Sequence, residues 1–181
     1  MTREEFINIY CLPRYNTDGS LIKIIIEDSG IKRIPPYIFY DCKLLESITI
    51  PDSIIAIGNH AFAGCESLSN IILPNKLIRI EDHAFHGCSS LESIIIPPSV
   101  EEIGNFAFAE CKSFQTITFS DRLELRSIGF GAFKDCVNLK HVIWPKECEH
   151  RDGYIFIKRI PYCDIISDNI IEIGKEAFPT L

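Results

Sequence analysis

The sequence predicts a β-rich α/β solenoid: a right-handed superhelix with short parallel strands on its concave face and short helical or 3₁₀ turns on the other side. Three observations carry that expectation. Cysteines at 42, 65, 88, 111 and 136 are spaced 23, 23, 23 and 25 residues apart. A short β-branched run ending in proline recurs between them, and an Ala-Phe pair stands just ahead of each later cysteine. Self-similarity at such a period is the mark of a repeat architecture, in which no single unit can bury its own apolar edge and stacking neighbours does.

Aligned on cysteine, the unit reads C-x-x-L-x-x-I-x-I-P-x-x-[ILV]-x-x-I-G-x-x-A-F-x-x-C. Its Leu column is Leu45, Leu68, Leu91, Phe114 and Leu139. Two further columns follow, Ile48, Ile71, Ile94, Ile117 and Val142, then Ile50, Leu73, Ile96, Phe119 and Trp144. The alternating I-x-I-P segment predicts a short strand stopped by proline at Pro51, Pro74, Pro97 and Pro145, with Ser120 as the exception. The next segment carries Ile54, Leu77 and Val100, then Ile57, Ile80, Ile103 and Ile128; it is expected to turn the chain, with Gly58, Gly104, Gly129 and Gly174 offering relaxed backbone geometry. Apolar residues at i and i+3 in A-F-x-x-C suit a single helical or 3₁₀ turn. Stacked units place parallel strands about 4.8 Å apart, and parallel crossovers are right-handed in nearly all cases.

The pattern Leu68-x-x-Ile71-x-Leu73-Pro74 … Ile80-x-x-x-Ala84-Phe85-x-x-Cys88 resembles the leucine-rich repeat of the BspA-like (Treponema pallidum-type) class. The resemblance covers residues 21–145, as five near-regular copies, with a remnant at 165–178. It implies a curved leucine-rich-repeat superhelix used for adhesion or protein recognition, often at the surface of bacteria and parasitic protists.

Along the chain, residues 1–20 are expected to cap the first repeat, because a solenoid's open end exposes apolar core. Thr2-x-x-Glu5 ahead of Phe6, Ile9 and Tyr10 has the form of a capping box and predicts a short helix. Asn16–Ser20 is a turn. The first repeat places Ile24 and Ile26 in a strand and has Ile38-Phe39 where later units have Ala-Phe. The unit before Ile128 carries two extra residues, with Leu123–Arg126 spanning the excess, a tolerated surface bulge. The segment 146–164 is an insertion or a degenerate repeat: Asp152-Gly153 signals a turn and Tyr154–Ile157 alternates like a strand. Cys148 and Cys163 would meet if it folds as a hairpin. Residues 165–181 are a partial repeat, all within one domain, and its end is expected to be covered by the preceding segment or by another chain.

Composition narrows the function. Of 181 residues, 46 % are apolar, and the net charge of −7 argues against a nucleic-acid or anionic-membrane binder. No apolar run approaches the ~20 residues of a membrane helix. The N-terminus has neither an apolar core nor a small-residue cleavage site of a signal peptide, so a cytoplasmic location is the default and the cell surface the family-based alternative.

Five stacked thiols read as small buried hydrophobes imposed by the repeat, since parallel side chains do not converge as tetrahedral metal ligands must. His60 and His83 occupy one repeat position and are expected to stack on neighbouring rungs near His86, as surface histidines; the column ends at Phe106. No catalytic motif, cofactor or metal site is expected. What remains is the strand face turned from the core: Lys23 and Ile25, Ser47 and Thr49, Asn70 and Ile72, Ser93 and Ile95, Thr116 and Thr118, His141 and Ile143. Ile25, Ile72, Ile95 and Ile143 would form an exposed apolar stripe. The leading expectation is a non-enzymatic interaction module that binds a protein partner through this face, as a monomer or an end-to-end assembly. The alternatives are a surface adhesion protein or antigen recognised through its loops and convex edge, and a metal-binding or enzymatic protein using the His and Cys columns.

Overall fold

The computed structural model describes residues 1–121, 124–145, 148–151, 154–157 and 169–173, the last three as backbone pairing. Helix α1 (Arg3–Tyr10) begins at Thr2. The Thr2 hydroxyl accepts the Glu5 N–H at 3.1 Å and the Glu5 carboxylate accepts the Thr2 N–H at 2.8 Å, the capping box that the sequence predicts. Phe6 and Ile7 are buried, whereas Ile9 is exposed. Strand β1 (Cys11–Tyr15), not anticipated from the sequence, pairs antiparallel with β2 (Leu21–Ile26) across a turn in which Asn16 and Asp18 accept the Ser20 N–H. Arg3 donates to the carbonyls of Ile38 and Tyr40, so the cap is pinned on both sides of the first repeat.

The strands that follow are β3 (Arg33–Ile34), β4 (Ser47–Thr49), β5 (Ala56–Ile57), β6 (Asn70–Ile71), β7 (Arg79–Ile80), β8 (Ser93–Ile96), β9 (Glu102–Ile103), β10 (Thr116–Phe119), β11 (Ser127–Ile128) and β12 (His141–Ile143). They stack in about five turns as two rows. The first row comprises two sheets, β1-β2-β4-β6 and β8-β10-β12, parallel from β2 onward. The second row is the longer: β3, β5, β7, β9 and β11 pair in parallel and continue to β15 (Asn169–Ile173), where Ile173 stands opposite Ile128. Strands β13 (Cys148–Arg151) and β14 (Tyr154–Ile157) add to β15 as an antiparallel hairpin. Cys163, its expected thiol partner for Cys148, lies outside the described residues, as do Gly174 and the final Ala-Phe pair.

The second row corrects one expectation. The [ILV]-x-x-I-G segment does not merely turn the chain; its Ile closes a two-residue strand in every unit, because a stacked neighbour at strand spacing satisfies even so short a ladder. The glycine that follows also has a different role. Gly104 does not have positive φ; a methyl group there would stand 2.5 Å from the Asp82 amide nitrogen and 2.7 Å from the Glu81 carbonyl carbon. The requirement is close approach between rungs. Positive φ occurs instead around the Ala-Phe-x-x-Cys turns, at His60 and Gly64, His83 and Gly87, Phe106 and Glu110.

Those left-handed residues explain how the far side is bonded. The N–H groups of His60, Phe62 and Gly64 donate to the carbonyls of Asp82, Ala84 and His86 on the next rung, at 3.0, 2.8 and 2.8 Å. Between them, Ala61, Ala63 and Cys65 donate three residues back, as in 3₁₀ turns, at 3.1, 3.2 and 3.1 Å. Every other amide thus points along the solenoid axis, and the far side is a hydrogen-bonded ladder in its own right.

The core follows from this register. Phe39, Phe62, Phe85, Phe108 and Phe133 stack at 5.3, 5.2, 5.1 and 5.3 Å between ring centroids, and Phe6 of the cap meets Phe39 edge-on at 5.9 Å. Leu125 is buried and fills the column of Ile54, Leu77 and Val100, so the extra residues precede it instead of spanning it; Leu123 lies outside the described residues. The Gly104→Ala variant is expected to lose about 2 kcal/mol of stability in urea unfolding. Gly87→Asn, at φ 70 with no atom closer than 3.8 Å to an added Cβ, should stay within about 1 kcal/mol of the parent.

Candidate partner-binding face

Alternation along the first-row strands divides each into a core side and an outward side. Ile24, Ile48, Ile71, Ile94 and Ile117 point inward and are buried. Outward, Lys23, Thr49, Asn70, Ser93 and His141 are exposed, while Ile25, Ser47, Thr116 and Thr118 are half-buried. Ile72 is 79 % exposed, Ile95 64 % and Ile143 50 %. The apolar stripe therefore contains three isoleucines, not four. Ile25 is shielded because β1, the strand absent from the sequence reading, lies beside it with Leu12 opposite. Between Lys23 and His141 both outward columns are uncharged.

Charge is carried elsewhere. Arg33 pairs with Glu81 at 2.6 Å, Lys43 with Glu66 at 2.9 Å, Arg126 with Glu101 at 3.3 Å and Arg79 with Glu102 at 3.4 Å, each bridging different rungs.

The centre of the face is marked by a discontinuity. Strands β6 and β8 are neighbours in the stack yet belong to different sheets. Asn75 donates its N–H to the Asp52 carboxylate at 2.9 Å, but Pro98, at the same place in the next unit, has no N–H to donate onward. A hollow of about 300 Å³ lies at this step, lined by Asn70, Ile72, Ser93, Ile95, Pro97 and Pro98. A second, of about 270 Å³, opens on the other side of Ile72 against Ser47, Thr49, Asp52 and Asn75. Sequence periodicity shows neither hollow, since the only local signal is the doubled proline at 97–98.

The two columns that suggested chemistry are occupied structurally. Cys65, Cys88, Cys111 and Cys136 are buried and free, and each thiol donates to the carbonyl of a Phe on the preceding rung, at 3.2, 3.2, 3.3 and 3.0 Å. Burial pushes the Cys88 thiol up to about 12 and also raises those of Cys65 and Cys111. His60 and His83 stack at 4.5 Å as the sequence predicts, but as half-buried members of a column of rings, Tyr37–His60–His83–Phe106, not as surface residues. The column outlasts its histidines because Phe106 takes the next place. Among the described residues, no group of three His, Cys, Asp or Glu side chains is placed to hold a metal ion, and no helix is long and apolar enough to cross a membrane.

Two rows of parallel two- to six-residue strands, a Phe spine and an outward strand face define a leucine-rich-repeat solenoid. Residues 32–163 match, in six copies, the family model of the BspA type leucine rich repeat region, and the chain belongs to that family. Its fold is similar to that of a leucine rich cell surface protein from Faecalibacterium prausnitzii A2-165, at 28 % identity and a TM-score of 0.63 over 74 % of this chain and 38 % of that one. The T. pallidum leucine rich repeat protein is similar at 29 % identity and a TM-score of 0.53, over 74 % of this chain and 79 % of that one. The pneumococcal vaccine antigen PcpA shares the fold at 22 % identity and a TM-score of 0.54, over 76 % of this chain and 37 % of that one. The chain thus spans little more than a third of the first and third of these relatives. Comparison with curated protein sequences finds no match.

Cys65, Cys88 and Cys111 are expected to resist a thiol-specific reagent at mildly alkaline pH in the folded protein and to react fully in denaturant, with labelled positions mapped by mass spectrometry. Rapid native labelling at any of the three would contradict their packing.

Proposed function

We propose that the protein is a non-enzymatic interaction module that binds a protein partner through its concave β-face, centred on Ile72 and Ile95. The carrying observation is the exposure of these two side chains, 79 % and 64 %, on strands whose alternate residues are buried. Exposed large aliphatics in register, flanked by hollows and rimmed by polar side chains, are the usual composition of an interface core. Lys23, Ile25, Ser47, Thr49, Asn70, Ser93, Thr116, Thr118, His141 and Ile143 complete the proposed surface, with the half-buried members contributing shape more than contact area. Parallel strands also supply a rigid platform, so binding would order few side chains and lose little conformational entropy.

A second reading is a cell-surface protein recognised through its loops and convex edge. It is supported by the description of the Faecalibacterium relative as a cell surface protein and by the exposed Tyr37 and Tyr40 on the turn side. A quantitative capture experiment from source cells separates the two. Ile72→Asp/Ile95→Asp should lower partner capture at least about tenfold with an unchanged circular dichroism spectrum. Tyr37→Ser/Tyr40→Ser should leave it intact; the reverse pattern would favour the convex edge.

A further inference from the structure

The turn-side ring column contains two imidazoles in direct contact. Tyr37, His60, His83 and Phe106 stack at 4.7, 4.5 and 5.1 Å, with interplanar angles of 12°, 18° and 16°. All four hold φ between 52° and 58°, so each ring is set by its backbone at the same point of its rung. His60 Nδ1 is buried without a hydrogen-bond partner, and the His86 ring lies 5.4 Å from His83. Ordinary aromatic stacking tolerates one imidazolium between neutral rings, and a cation on a ring face is even favourable. Two adjacent imidazoliums 4.5 Å apart repel.

The position of this pair gives it leverage. From His60 the chain runs through Cys65 and Leu68 into β6; from His83 it runs through Cys88 and Leu91 into β8. The stacked histidines therefore join the two rungs whose first-row strands are not paired with one another and which carry Ile72 and Ile95. These rungs are also joined by the Phe62–Phe85 stack, the β5–β7 ladder, the Cys88 thiol on the Phe62 carbonyl, the Ser90 N–H on the Glu66 carbonyl, and the turn-side hydrogen bonds from the His60, Phe62 and Gly64 N–H groups. We propose that the His60–His83 stack is an acid-operated release: protonation of both rings parts the stack and loosens the β6–β8 step of the outward strand face. That this face binds a partner is the reading argued above; the release itself concerns the chain alone.

The electrostatic surroundings set the direction. Burial lowers the proton affinity of both rings, and neighbouring imidazoles lower it further. Asp82 opposes the shift in both cases. The other groups facing the pair are Tyr37 and Tyr40, His86 with the Glu110 carboxylate 3.5 Å from it, and Glu81, which accepts the Asn59 N–H at 3.2 Å while paired with Arg33. A histidine with a depressed folded-state pKa binds more protons unfolded than folded. Its contribution to stability is complete above the ordinary value of 6.5 and is lost as pH falls from there through the lower folded-state value.

The test uses the full chain, with thermal melts and amide hydrogen exchange at pH 7.5 and 5.0, the latter corrected for intrinsic exchange. The melting temperature of the parent should fall by roughly 3 °C or more. Protection of peptides covering residues 60–96 should drop about tenfold relative to those covering 21–50. His60→Tyr/His83→Phe, which installs the residues that the column already uses at 37 and 106, should abolish both differences. If that double variant folds poorly, His83→Phe alone should remove most of them, since it leaves one imidazole between neutral rings. Equal acid sensitivity in parent and variant, an exchange increase spread evenly along the chain, or no increase at all would overturn the proposal. Failure of the partner-binding reading would instead appear as unchanged capture by the Ile72→Asp/Ile95→Asp variant, leaving these melts unaffected.

Discussion

The fold depends on one constraint: successive rungs must approach to strand spacing all the way round. The second strand row and the turn-side ladder hydrogen-bond from rung to rung, and the first row does so at every step but β6–β8, so a residue and its counterpart 23 positions on are held at one separation. At that separation a column can contain only what stacks on itself. Phe stacks on Phe at a little over 5 Å, Ile packs on Ile, and a thiol reaches the carbonyl below it. Glycine at 104 belongs to the same account, since a methyl group would force the rungs apart where they come closest.

That constraint also determines which groups are chemically available. A cysteine whose thiol is buried and already hydrogen-bonded cannot converge with four others on a metal, however regular their spacing in sequence. Histidines stacked in a ring column have nearly parallel ring planes, so their in-plane lone pairs lie in separate layers and do not converge on a common point. Charged residues on neighbouring rungs pair where their signs are opposite, as in Arg79–Glu102 and Arg126–Glu101. Being exposed, such pairs contribute at most about 1 kcal/mol each.

The ends of the stack pose a separate problem, because a rung with no neighbour exposes both its ladder and its core. At the N-terminus, α1 lays Phe6 on the Phe spine while β1 pairs with the free edge of β2. Pro13 in β1 cannot donate a further ladder bond, which blunts the new edge. Beyond β11, β15 continues the second row and the β13–β14 hairpin adds to it in the antiparallel sense, so the repeat gives way to a different strand order.

Most of this architecture is legible in the residues. Five cysteines at near-constant spacing, with Ile, Pro and Ala-Phe at matched offsets, determine the rung and its core columns, because a repeated unit has to bury the same positions in every copy, and Thr2-x-x-Glu5 separately determines the capping box. The outward strand positions follow from alternation alone. Three features were decided only by tertiary structure. Ile25 is shielded by β1, a strand pairing with no periodic signal; the second strand row exists because a neighbouring rung is present to pair with; and the break between β6 and β8 shows only where two units meet, with the doubled proline at 97–98 as its one local signal. Sequence determines which side of a strand a residue occupies, since that is local geometry, whereas exposure and rung-to-rung pairing belong to the stack, since they arise only when a second surface arrives.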